Sequence, residues 1–112
     1  MTPAVNPMIH SYLRKYQENP SSRVFAPLAE AYRKAGMINE AIEIAQEGLQ
    51  LHPEFIGGKV ALARALFDQK NYARVVEVLS AVIRDVPDNI VAQRLMAESH
   101  LLLGRVAQAL DC

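Results

Sequence analysis

Three short strings constrain what this chain can become. LAEA at 28–31 returns as LARA at 62–65 and as MAES at 96–99, so the three copies stand at one constant step. Pro20, Pro53 and Pro87 keep that step to within one position. Gly36 and Gly104 are separated by twice the step, as are Ala41 and Ala109. Several residue types held in one register, at a step of roughly 20–50 residues, mark a repeat array in which one supersecondary unit recurs.

Within the step 22–55 the apolar spacing is helical. Phe25, Leu28, Ala29, Tyr32 and Ala35 fall on one face of a first helix read over 23–35. Ile38, Ala41, Ile42, Ala45 and Leu49 do the same for a second helix over 38–51. Gly36, following Arg33 and Lys34, suits the left-handed conformation that ends a helix. Pro53 stops the second helix.

The step 56–89 repeats this with Leu62, Ala63, Leu66 and Phe67, then Tyr72, Val75, Val76, Leu79, Val82 and Ile83. This last set is rich in β-branched residues that favour strands, yet its period is helical, and Asn71 is positioned to cap it. Residues 90–112 open a third copy that reaches barely into its second helix. Upstream, Met8, Ile9, Tyr12, Leu13 and Tyr16 share a face over 7–19, with Asn6 as a cap and Pro7 at the first helical position.

The expectation is one array over 1–112, built as a lone helix, two full hairpins (22–55 and 56–89) and a partial third. The small residues Ala29, Ala63 and Ala97 let the helices of each hairpin approach closely. A single hairpin cannot bury its apolar faces alone, so the units must stack.

Two positions resist this pattern. Pro27 removes a donor early in helix 23–35, so that helix either begins late or bends. Gly57 and Gly58 form a flexible or close-packed start to a helix over 59–69.

These residues resemble the tetratricopeptide repeat, whose signature, about 34 residues long, reads W-x2-L-G-x2-Y, then A-x3-F, then P. Phe25, Leu28, Ala29, Tyr32, Ala41 and Pro53 match it in 22–55. Leu62, Ala63 and Pro87 match in 56–89, and Met96, Ala97 and Ala109 in 90–112. Lys59, Gln93, Ala45 and His100 depart from it. The resemblance implies an all-α fold of tandem antiparallel helix hairpins in a right-handed superhelical solenoid.

It also implies a protein-binding scaffold whose first helices line a concave groove. In this register the groove positions are Arg23, Ala26, Pro27, Glu30, Arg33 and Lys34 in the first unit. Val60, Ala61, Arg64, Phe67 and Asp68 follow in the second, then Val91, Arg94, Leu95, Glu98 and Leu101. Five of these are basic and three acidic, a mild bias toward acidic segments. Arg64 and Phe67 pair a charge with an aromatic at the centre of the array. Helix 38–51 carries Glu40, Glu43 and Glu47 without lysine or arginine, making that side acidic. Some relatives grip a terminal carboxylate with a Lys/Asn/Arg clamp. Ala26, Glu30, Ala61, Val91 and Leu95 stand at those positions and supply no such donor, so that activity is not carried over.

Other functions find little support. The 112 residues carry 12 basic and 12 acidic side chains, which gives no bulk attraction to nucleic acid. No apolar run approaches the ~20 residues of a membrane span, and a cytoplasmic protein is the default. His10, His52 and His100 have no metal-ligand spacing, and His52 is placed to meet the carboxyl end of its own helix. No catalytic constellation or phosphate loop is present, so no enzyme activity and no cofactor are expected. Cys112 is the only cysteine. The alternative to peptide binding is self-assembly as a homo-oligomer through the C-terminal end, where Leu101, Leu102, Leu103, Val106 and Leu110 lack a capping helix.

Overall fold

A computed structural model describes the backbone of residues 7–111 and the side chains of residues 7–105. Six helices follow one another, with no strand among the described residues: α1 (Pro7–Glu18), α2 (Phe25–Lys34), α3 (Ile38–Leu51), α4 (Ile56–Asp68), α5 (Tyr72–Asp85) and α6 (Ile90–Asp111). Each helix packs on the next, and α2, α4 and α6 also pack side by side. This is the all-α helical repeat solenoid that the periodicity implies.

The hairpin turns share one design. Gly36 has φ 83° and Lys70 has φ 68°, both left-handed. Met37 N–H then donates to the Tyr32 carbonyl at 2.9 Å, and Asn71 N–H to the Leu66 carbonyl at 2.9 Å. These bonds satisfy carbonyls that a helix end leaves open. The Asn71 side chain caps α5 by accepting from Arg74 N–H, as its position predicts. The Asn6 cap lies outside the described residues.

The third turn differs. Gly104 stands in register with Gly36 and Lys70, but α6 runs unbroken from Ile90 to Asp111. The short second helix expected after Gly104 is instead a continuation of α6. A glycine permits a turn without imposing one, and here the helical hydrogen bonds continue through it.

Pro27 lies in the first turn of α2, because that helix starts at Phe25 and not at residue 23. An N–H there has no intrahelical partner in any residue, so its loss costs little. Likewise α4 starts at Ile56, which places Gly57 and Gly58 inside its first turn.

Gly58 is close-packed. A Cβ on it would lie 2.7 Å from the Phe25 ring, and one on Gly48 of α3 only 2.0 Å from the same ring. Phe25 is 0% exposed, stacks on His52 at 6.1 Å and meets Phe55 edge-on at 5.8 Å. One aromatic ring thus fills hollows above α3 and α4 that exist because both helices carry glycine there. The main core extends from it through Leu62, Leu66, Val75, Leu79 and Val82, while Ile9, Leu28 and Ala31 tie α1 to α2.

Candidate functional site

The side-by-side arrangement of α2, α4 and the start of α6 opens a cleft of about 450 Å³. Ala26, Pro27 and Glu30 form its α2 wall. Ile56, Gly57, Val60, Ala61 and Arg64 form the α4 wall, and Asn89 and Val91 close the far side. The lining is apolar for most of its length. Pro27 and Gly57 add no polar side chain, and Val60 and Val91 remain partly open to solvent.

The charges of the cleft are paired with one another. Glu30 Oε2 accepts from Arg64 Nη1 at 2.7 Å, and Glu30 Oε1 from Arg33 Nε at 3.0 Å. Arg33 Nη1 continues the chain to Asp68 Oδ2 at 3.1 Å. Burial disfavours the Arg33 cation, but hydrogen bonds to Glu30 and Asp68 outweigh it and raise its pKa. Two cations and two carboxylates therefore cancel, and the bias toward acidic segments read from composition is largely consumed within the molecule.

The remaining positions read from the sequence scatter. Arg23 lies over the Phe55 ring at 5.3 Å, a cation–π contact outside the cleft. Lys34 lines a neighbouring hollow of about 240 Å³ with Met8, Tyr12, Pro27, Glu30 and Ala31. Phe67 packs edge-on against Tyr72 at 5.2 Å, because the tight turn at Lys70 folds α5 back beside it. Arg94, Glu98 and Leu101 are exposed on α6, and neither charge forms an ion pair among the described residues.

Of the groove positions read from the sequence, the cleft gathers Ala26, Pro27, Glu30, Val60, Ala61, Arg64 and Val91. Ile56, Gly57 and Asn89 line it without having been read as binding residues. Asn89 had a signal: an asparagine just before an apolar helical run is an N-cap, and its Oδ1 accepts from Ala92 N–H at 3.0 Å.

Elsewhere, His52 meets the end of its own helix only through its backbone N–H, which donates to the Gly48 carbonyl at 2.9 Å, and the imidazole turns away. Its Nε2–H donates to the Ser21 carbonyl at 2.5 Å, tying α3 to the loop between α1 and α2. A larger hollow, about 650 Å³, lies over α1 and is lined among the described residues by that helix alone. Among the described residues no group of three or more His, Cys, Asp or Glu could hold a metal ion. No described helix is long and apolar enough to cross a membrane.

The fold and the recurring turn define a helical repeat protein. The sequence pattern of the family described as Tetratricopeptide repeat matches residues 32–98, more than half of the 112-residue chain. The chain belongs to the tetratricopeptide repeat family, whose repeats mediate protein–protein interaction. Comparison with curated proteins gave no match.

Proposed function

We propose that this chain is an interaction scaffold, without catalytic activity of its own, that holds a peptide or partner helix in the cleft between α2, α4 and α6. The units 22–55, 56–89 and 90–112 each contribute one helix to that cleft, and the lone helix 7–19 flanks it. The observation that carries the reading is the apolar lining left open at Val60 and Val91, in a cleft that also has the buried Ala26 and Ala61 in its walls. A cytoplasmic setting and protein partners fit this reading; nucleic acid does not, given a formal net charge of zero.

The test compares capture from source-cell lysate by the wild type and by a Val60→Asp, Val91→Asp variant. A partner lost only from the variant, with its melting curve unchanged, supports the cleft. Equal capture by both moves the binding surface elsewhere.

Self-association through the C-terminal end is a second reading with its own observation. Ala97 is exposed, whereas Ala29 and Ala63 in the same register are 1% and 0% exposed, and Leu101 nearby is 56% exposed. Val106 and Leu110, read as part of that end, lie outside the described side chains. Sedimentation equilibrium of wild type and Ala97→Arg decides it: a dimer abolished by the arginine supports this surface, and a strict monomer removes it.

A further inference from the structure

We infer that the cleft selects an extended, uncharged segment rich in small apolar side chains, held by its backbone carbonyls, rather than an acidic one. The inference rests on the cleft reading above and assigns the chemistry of its occupant.

The first argument is charge. Glu30 is the acid closest to Arg64, at 2.7 Å, and it also holds Arg33 at 3.0 Å. An incoming carboxylate aimed at Arg64 would have to approach a carboxylate already there, and a lysine aimed at Glu30 would meet two guanidinium groups. Either sign meets a like charge already paired there, so both are disfavoured against a neutral segment. The wall beyond them, with Pro27, Gly57, Val60 and Val91, rewards apolar burial instead.

The second argument is the donors that remain. Arg64 uses only Nη1 on Glu30, and its other N–H groups have no partner among the described residues. Asn89 spends Oδ1 on capping α6, which directs its Nδ2–H₂ group elsewhere, also without a partner among the described residues. Both side chains line the cleft. The cleft therefore offers spare donors, while its side-chain carboxylate and amide oxygens are engaged, those of Glu30 by arginine and Asn89 Oδ1 by the Ala92 N–H. The matching group is a free peptide carbonyl. A helix has no free carbonyls except at its end, whereas an extended segment presents them along its length.

The probes are three fluorophore-labelled octapeptides with blocked ends. One is built of alanine, valine and leucine, one has two central glutamates, and one has two central lysines. Anisotropy titrations of the whole chain at low and high salt read the affinities. The neutral peptide is expected to bind at least about tenfold more tightly than either charged one. Its affinity should change by less than about twofold with salt.

Asn89→Asp keeps an acceptor for the α6 cap and removes the donor. It should weaken the neutral peptide about tenfold with an unchanged or higher melting temperature. Tighter, salt-sensitive binding of the glutamate peptide, abolished by Val60→Asp, would overturn the chemistry and leave the cleft standing. Binding indifferent to Val60→Asp, or no binding of any probe, would overturn both. An Asn89→Asp chain that binds the neutral peptide as tightly as wild type would overturn the carbonyl recognition.

Discussion

Glu30 of α2 and Arg64 of α4 sit one repeat step apart in sequence and 2.7 Å apart in space. The same glutamate reaches Arg33, which reaches Asp68, so two of these three contacts join α2 to α4 across the cleft. No ion pair joins α4 to α6 among the described residues.

This pair is a modest contributor to stability. Arg64 has a side-chain exposure of 39%, which screens it. A double-mutant cycle with Glu30→Gln and Arg64→Met should return a coupling of about 0.5–1 kcal/mol by urea unfolding, weaker at high salt. A coupling that does not respond to salt would contradict an electrostatic tie.

Gly48→Ala should be destabilising, although alanine is the better helix former. The added Cβ would lie 2.0 Å from the buried Phe25 ring. Displacing that ring costs about 1–3 kcal/mol or more, against a propensity gain of about 1 kcal/mol. A thermal melt unchanged from wild type would show that the ring has room to move.

Lys70 occupies a left-handed position at φ 68° that Gly36 fills in the preceding turn. Lys70→Gly should therefore stabilise by about 0.5–1 kcal/mol, strain relief outweighing the entropy of the added glycine. Gly36→Ala, which meets nothing within 4 Å, should lose about 1 kcal/mol through backbone strain alone. Opposite signs in the two urea midpoints are the required result.

Ser99 is 0% exposed, and its hydroxyl has no hydrogen-bond partner among the described residues. It stands in register with Ala31 and Ala65, which are 5% and 0% exposed. Ser99→Ala should raise stability by about 1 kcal/mol and the melting temperature by about 4 °C. A lower melting temperature would mean the hydroxyl is satisfied in solution.

Alkaline pH should weaken the fold through two tyrosines. Burial raises the Tyr16 phenol above its ordinary 10.0, helped by the hydrogen bond it donates to Glu47 and by that carboxylate's charge. Burial and then Glu40 raise Tyr32 above the same value. Both groups hold their protons more tightly folded than unfolded. Their contribution is therefore complete below pH 10.0 and is lost as pH rises through the folded values. Tyr16→Phe should show a shallower loss between neutral and strongly alkaline pH, measured by urea unfolding.

The helices were legible because their signals are local. Asn71 caps α5, and the turn at Gly36 recurs one step later at Lys70, without the glycine. Gly104 shows where such signals end, since a residue able to turn lies inside a continuous helix. The cleft was less legible because its chemistry depends on pairs across helices. Arg33 and Arg64 were counted toward a basic groove, yet Glu30 holds both. Phe67 looked like a groove anchor, but the turn delivers Tyr72 to its ring. Gly58 could be read as flexible until its neighbour, Phe25, was known to press against it.

That ring has a mechanical consequence. An array whose units meet only through independent faces can unzip one unit at a time. Phe25 bears on α3 and α4 together, so the first hairpin and the opening helix of the second separate as a single block or not at all. Helix α6 has no such rivet and is held by α4 and α5 alone among the described residues. Two walls of the cleft are thereby fixed to one another, while the third, which carries Asn89 and Val91, depends on α4 and α5 for its position.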